Sequence, residues 1–429
     1  MAQLKNNLKN LKIQERGAAL IVFLTILVLA TTTILLSELN RVDFQIEQQK
    51  QTARVLAQAK EALLGFALTY AETHQGQMPG YLPCPDSNGN GSAGPSCSSQ
   101  GNSVIGRFPW RTLGLPPLRD GSGECLWYAV SGTYKNNPKQ ILSNTTKGLF
   151  IIKNAKGDTI TDNAIAILFA PGRAIDGNRT AAANDKPCGD NVQILDYLDS
   201  LEIDENGDSV PDYTIKNFSG QKTGEVSGNP GGDQLPTATP SVFIKAPVIR
   251  EDTNNVIFND TLMSITPEDF APVYERMNAW VAKQVVKCLE SYAANNGGEY
   301  PWASKVDPYD YTADSGERFG RIPDDPAYDG DCFDESSGLN DWKWGWWSVW
   351  KEMVFFAVNP TLTTATETKS VNLLVLVAGS EINGQTRYDK TDIGNYLEGE
   401  NADADEYFIS QAVTDNFNDV VCWNSECRQ

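Results

Sequence analysis

Between Asp204 and Asp212 the chain reads Asp-Glu-Asn-Gly-Asp-Ser-Val-Pro-Asp. Side-chain oxygens at the first, third, fifth and ninth positions (Asp204, Asn206, Asp208, Asp212), with the Val210 carbonyl at the seventh, can wrap a hard cation. Ca2+ is the expected ion, and a solvated loop of Asx turns is the alternative. Asp86-Ser87-Asn88-Gly89-Asn90-Gly91 echoes the pattern with a single acid and reads as a turn pinned by Cys84 and Cys97. The acids Asp324, Asp325, Asp329, Asp331, Asp334 and Glu335 give no ligand register and read as a solvated loop.

A second chemistry-bearing stretch is aromatic. Trp342, Trp344, Trp346, Trp347 and Trp350 fall within nine residues. Exposed, they would form a sugar-stacking or partner-binding surface; buried, they would be core. Both readings stand on the sequence.

Catalysis is not expected. His74 is the only histidine, so a Ser/His/Asp or Cys/His site would have to use it, and no Gly-rich phosphate loop with a following lysine occurs. Eight cysteines all lie beyond residue 80 and none forms a Cys-x-x-Cys pair, which disfavours zinc and thioredoxin-like chemistry. An even count in an exported chain reads as disulfides. Proximity favours Cys84–Cys97 and Cys422–Cys427, while the pairing of Cys125, Cys188, Cys288 and Cys332 stays open. A formal net charge of −20 repels phosphate backbones, so no nucleic-acid partner is expected.

The elements that must position these residues begin with Ala18 to Leu36, an uncharged run of 19 residues. As a helix it would span roughly 28 Å, about one hydrocarbon core, and is expected to cross a membrane. Lys5, Lys9, Lys12 and Arg16 precede it, which keeps the leader cytoplasmic and sends the rest across. No proline occurs before Pro79, and Leu56, Ala59, Leu63, Phe66 and Tyr70 recur at spacings of three and four. One helix from about Ala18 to about Glu72 is predicted, apolar all round in its first half and amphipathic in its second.

The stretch Gln14-Glu15-Arg16-Gly17-Ala18-Ala19-Leu20-Ile21 resembles the processing site of type IV pilins and type II secretion pseudopilins. Tyr70-Ala71, followed by Gly76-Gln77-Met78-Pro79, resembles the junction where the pilin helix meets its head. The resemblance covers about residues 12–80. It implies cleavage between Gly17 and Ala18 by a prepilin peptidase, and methylation of the new N-terminus. Most members carry glutamate at the fifth mature position; here it is Val22, as in tip-like and some minor subunits. The implied function is a minor pilin or pseudopilin that initiates or caps a periplasmic filament of a type II secretion or type IV pilus system. Its implied partners are other minor pilins or pseudopilins, the peptidase and the inner membrane. The implied location is the inner membrane, single-pass, with the C-terminal region periplasmic or at a filament tip. A membrane-anchored binding module or adhesin using the tryptophan segment is the alternative. The 204–212 loop in turn resembles thrombospondin-type and EF-hand-like calcium loops. It departs from the latter at Ser209 and Ile215, so Asp196 or Asp199 would have to complete the shell.

The junction occurs twice. Tyr70-Ala71, Gly76 and Pro79 match Tyr292-Ala293, Gly298 and Pro301 at an offset of about 222 residues. Gly106-Arg107-Phe108-Pro109 answers Gly320-Arg321-Ile322-Pro323. Trp127-Tyr128-Ala129-Val130 answers Phe355-Phe356-Ala357-Val358, and Phe258-Asn259-Asp260 answers Phe417-Asn418-Asp419. Thr266-Pro267-Glu268-Asp269 caps a second helix ahead of Phe270. The expected class is α+β: a long N-terminal helix with a membrane-spanning first half, then two related helix-plus-antiparallel-sheet units. The divisions are a leader over 1–17, the helix over 18–73, a first unit over 74–262 with a loop inserted at 196–240, and a second unit over 263–429.

Overall fold

In the computed structural model the chain opens on α1 (Ala2–Thr73). The structure describes residues 2–175, 179, 187–188, 193–218, 233–234, 241–251, 255–306, 311–323, 346–382, 384–403, 405–423 and 426–428, with the side chains of α1 over 21–32 and from 43 onward. From Val55 on, α1 buries one stripe: Val55, Leu56, Ala59, Leu63, Ala67 and Tyr70. This is the spacing of three and four that places residues on one helix face. By contrast Ile21, Val22, Phe23, Leu24, Ile26, Leu27, Val28 and Leu29 are all exposed.

Two parts of the expected fold class need correction. Among the described residues no helix is long and apolar enough to cross a membrane. The expected membrane-spanning segment 18–36 and single-pass inner-membrane location thus find no support among the described residues. The second correction concerns the sheets, which are not purely antiparallel.

The first lobe contains β1 (Val104–Arg107), β2 (Trp127–Val130), β3 (Phe150–Asn154), β4 (Thr159–Ala164), β5 (Ala166–Ala170), β6 (Ser200–Ile203), β7 (Tyr213–Lys216), β8 (Asp233–Gln234), β9 (Ser241–Lys245), β10 (Ile249–Arg250), β11 (Val256–Phe258) and β12 (Thr261–Ile265). The second contains α2 (Pro267–Asn295), β13 (Phe319–Arg321), α3 (Trp347–Trp350), β14 (Val354–Val358), β15 (Thr361–Thr364), β16 (Thr368–Ser370), β17 (Leu373–Val377), β18 (Tyr407–Ser410), β19 (Val420–Trp423) and β20 (Glu426–Arg428). The first central sheet has the order β12-β5-β2-β1-β8, the second β13-β14-β17-β19-β20. Read from β1 and from β13, four strands follow one another in the same antiparallel sequence. Gly106 faces Tyr128 in the first lobe and Gly320 faces Phe356 in the second, so the register matches as well.

Beside each central sheet lies a small three-stranded one, β4-β3-β9 and β16-β15-β18. In both, a hairpin is antiparallel and the third strand runs parallel to the first of the pair. The parallel strand returns from a long excursion, which is the connection that parallel pairing requires. In the first lobe this excursion was expected to be a loop over 196–240. It contains the β6–β7 hairpin, because Leu201, Ile203 and Ile215 find a core against Val242, Ile244 and Phe258.

Glycine is needed where a strand meets a preceding loop. A Cβ on Gly320 would sit 2.0 Å from the Ser304 carbonyl, and one on Gly106 would sit 3.2 Å from that of Asp86. The isolated bridges Asp86↔Arg107 and Ser304↔Arg321 use this close approach.

α1 and α2 cover the same side of the molecule. Thr266 N–H donates to the Asp269 carboxylate at 2.9 Å, and the same carboxylate pairs with Lys60 of α1 at 2.6 Å. One apolar core joins the α1 stripe, the α2 residues Phe270, Val273, Met277, Val281 and Val285, and strands of both lobes. In the first lobe, alternate residues of β2 face opposite ways. Tyr128 and Val130 join that core, while Trp127 and Ala129 pack with Phe150, Phe243 and Tyr197 on the other side.

Candidate functional site

The four candidates from the sequence lie apart. Gly17 and Ala18 fall within α1. The calcium candidates Asp204, Asn206, Asp208, Val210 and Asp212 occupy the exposed turn of the β6–β7 hairpin. Asp204 accepts from the amides of Gly207 and Ser209, both at 2.7 Å. Asn206 accepts from Asp208 N–H at 2.9 Å, Asp208 from Val210 N–H at 2.8 Å, and Asp212 from Glu205 N–H at 2.8 Å. Each side chain thus spends an oxygen on the loop's own backbone, which is the Asx-turn geometry. Among the described residues no cluster of three or more His, Cys, Asp and Glu is placed to hold a metal ion.

Disulfides join Cys84 to Cys97 and Cys422 to Cys427, the latter directly opposite one another on β19 and β20. Cys125 pairs with Cys188, and Cys288 is also disulfide-bonded; Cys332 lies outside the described residues. Lys135, fully buried, donates to the carbonyls of Cys97 and Ser99, both at 2.6 Å, and so braces the first bridge from inside. Burial pushes its ammonium down to about 8.

Of the tryptophan segment, Trp347 and Trp350 are buried. Trp346 is half-buried and stands edge-on to Trp280 of α2 at 5.4 Å. Trp342 and Trp344 lie outside the described residues. Trp347 and Trp350 are core, because α3 lies at the seam between the lobes, where the Trp350 indole reaches the Leu142 carbonyl.

What the sequence reading missed is a buried polar knot present in each lobe. Arg107 and Arg321, one residue past the paired glycines, are both fully buried. The Arg107 guanidinium stacks on Trp127 at 4.4 Å and on Tyr197 at 4.2 Å. That of Arg321 lies over Phe355 at 5.4 Å and Tyr396 at 5.0 Å. A second arginine approaches each tyrosine: Arg179 at 5.0 Å from Tyr197, and Arg387 at 4.7 Å from Tyr396. These also tie equivalent carbonyls. Arg179 donates to Gly172 and Asp196 at 2.7 Å each, and Arg387 to Gly379 at 2.9 Å and to Asn395. Planar guanidinium suits such stacked, many-donor sites in a way an ammonium does not.

Next to each stack sits a pair of carboxyls. Asp260 accepts from the Asp199 amide at 2.8 Å, and Asn259 N–H donates to the Asp199 carboxyl at 2.7 Å. In the second lobe Asp419 accepts from the Glu398 amide, and Asn418 N–H donates to the Glu398 carboxyl, both at 3.0 Å. Burial, and then the neighbouring carboxylate, push Asp260 and Asp419 well above the usual carboxylate range. One signal for the knot was available: Ile194-Leu195-Asp196-Tyr197-Leu198 repeats as Ile393-Gly394-Asn395-Tyr396-Leu397.

No family model matches the chain, and no curated protein or solved structure matches it either. Arg107, Arg321, Asp260 and Asp419 are enclosed and hold the lobes' shape.

Proposed function

We propose that the chain is a minor pilin-like or pseudopilin-like subunit that initiates or caps a periplasmic filament, and that it is not an enzyme. The observation that carries this reading is the division of α1. Its stripe from Val55 to Tyr70 is consumed by the chain's own core, whereas Ile21 to Leu29 present eight exposed large apolar side chains. Apolar surface that dense is an association surface, and like helices of other minor pilins or pseudopilins are its complement. The disulfides support work in an oxidising compartment.

Processing between Gly17 and Ala18 by a prepilin peptidase belongs to the same proposal. So does a place at the tip rather than in the shaft. Val22 supplies no acid to a neighbour's terminal amine, and a buried amine without a counter-charge is costly. The two-lobed head is also large for a subunit repeated at short helical rise.

Mass spectrometry of the protein purified from its native cells, with a mild pull-down, tests the reading. The expected result is a mature N-terminus at Ala18 and co-purifying small pilin-like subunits. An intact leader with no such partners would overturn it.

A further inference from the structure

Each lobe encloses two carboxyl groups that cannot both stay charged without a penalty. Asp260 and Asp419 are 1% and 0% exposed, and one oxygen of each, Oδ1, has no hydrogen-bond donor among the described residues. The other oxygen, Oδ2, is fully engaged. On Asp260 it takes the Asp199 amide and Asn217 Nδ2 at 3.0 Å; on Asp419 it takes the Glu398 amide and Asn401 Nδ2 at 3.0 Å. The same asparagines accept from the returning strands, Asn217 from Ile244 N–H and Asn401 from Ile409 N–H, both at 2.9 Å. One short chain of bonds therefore links β12 to β9 in the first lobe, and β19 to β18 in the second.

The groups facing these pairs are few. Asp260 meets Asp199, Asn217, Asn259 and the guanidinium of Arg179; Asp419 meets Glu398, Asn401, Asn418 and the guanidinium of Arg387. Glu124 pairs with Arg179 at 3.4 Å, Glu381 and Glu398 act on Arg387, and Gln385 Nε2 donates to Glu398 at 2.8 Å. Each guanidinium is therefore already shared with another carboxylate. Loss of the proton puts a second negative charge within each carboxyl pair, in a medium that screens it weakly.

We propose that Asp199–Asp260 and Glu398–Asp419 are proton-sharing clasps that bind the returning strand to the central sheet in each lobe and loosen when the shared proton leaves. The proton resides on the orphaned oxygen of Asp260 or Asp419, the oxygen that accepts no hydrogen bond among the described residues. A carboxyl that titrates higher in the fold than in the unfolded chain adds stability below its ordinary range, and that stability is lost as pH rises through the folded value. The clasps tighten in acid and slacken in alkali.

The test is amide hydrogen exchange of the full chain, read as protection relative to unstructured peptide at the same pH. Protection at the amides of Asp199 and Ile244, and of Glu398 and Ile409, should fall at least about tenfold between about pH 5 and about pH 9. Asp260→Asn and Asp419→Asn mimic the protonated acid, and each should abolish the fall in its own lobe only. Asp199→Asn and Glu398→Gln remove the charge from the other side and should do the same. Infrared absorption of the wild type provides a reading independent of any variant: protonated carboxyl should persist above the ordinary carboxylate range. Constant protection with no protonated carboxyl would overturn the proposal, as would an undiminished fall in the amide variants.

Discussion

The indole N–H of Trp350, in the second lobe, donates to the carbonyl of Leu142, in the first, at 2.8 Å across a separation of 208 residues. Both residues are fully buried. Beside them Asn144 Nδ2 donates to Asn278 Oδ1 at 3.0 Å and to the Ala378 carbonyl at 2.7 Å, and the hydroxyls of Tyr134 and Tyr274 stand 2.6 Å apart. The seam is thus part of the common core and carries polar bonds of its own.

Trp350→Phe should keep most of the packing and leave the Leu142 carbonyl without its donor. The expected cost is about 1–3 kcal/mol, seen as a lower denaturant midpoint with an unchanged slope. Both lobes should melt in one transition, because they share a core. A two-step melt in which the first lobe is unaffected would refute this.

Arg321→Lys should cost about 1–3 kcal/mol, through loss of the stack on Phe355 and Tyr396 and of the bond to the Lys390 carbonyl at 3.0 Å. Arg107→Lys should cost a similar amount in the first lobe. Equilibrium unfolding of both variants checks this; a cost in one lobe alone would show that the two stacks are not energetically equivalent.

Lys135→Met keeps the side chain's bulk but strips the donor from the carbonyls of Cys97 and Ser99. Thiol reduction of Cys84–Cys97, which closes a loop with a sequence separation of 13, should become faster. The Lys135 pKa is lowered in the fold, so its linked stability is present above the ordinary lysine range and lost as pH falls through about 8. Raising the pH above about 8 should accordingly stabilise the wild type relative to Lys135→Met. A pH-independent difference between the two proteins would contradict the assignment.

The 204–212 loop is closed by its own amides, so chelation should leave the melting temperature of the folded chain unchanged. Asp204→Ala should raise hydrogen exchange at Gly207 and Ser209, whose amides lose their acceptor. A chelator-induced drop in melting temperature that Asp208→Ala abolishes would instead establish the cation site.

The apolar stripe from Leu56 to Tyr70 and the cap at Thr266 were legible in the sequence, because helix periodicity and first-turn chemistry are local properties. The repeat was legible wherever backbone demanded one residue type: glycine at 106 and 320 for close approach, Asn-Asp at 259–260 and 418–419 for the turn into β12 and β19. The local disulfides Cys84–Cys97 and Cys422–Cys427 followed from proximity, but the Cys125–Cys188 bridge needed the fold, since its partners are 63 residues apart. Apolarity alone also misled. Ala18–Leu36 read as a membrane span, whereas among the described residues no helix is long and apolar enough to cross a membrane. Only the tertiary structure could show that Trp347 and Trp350 are core, because a ring's burial depends on what arrives from 200 residues away. The second arginine of each knot, at 179 and 387, had no legible spacing, because it stands 18 residues before Tyr197 but 9 before Tyr396. Asp199 and Glu398 do follow the repeated Tyr-Leu pairs at 197–198 and 396–397, but nothing in chain order says that they meet Asp260 and Asp419. Their equivalence is a matter of distance and charge balance in space, which chain order does not encode.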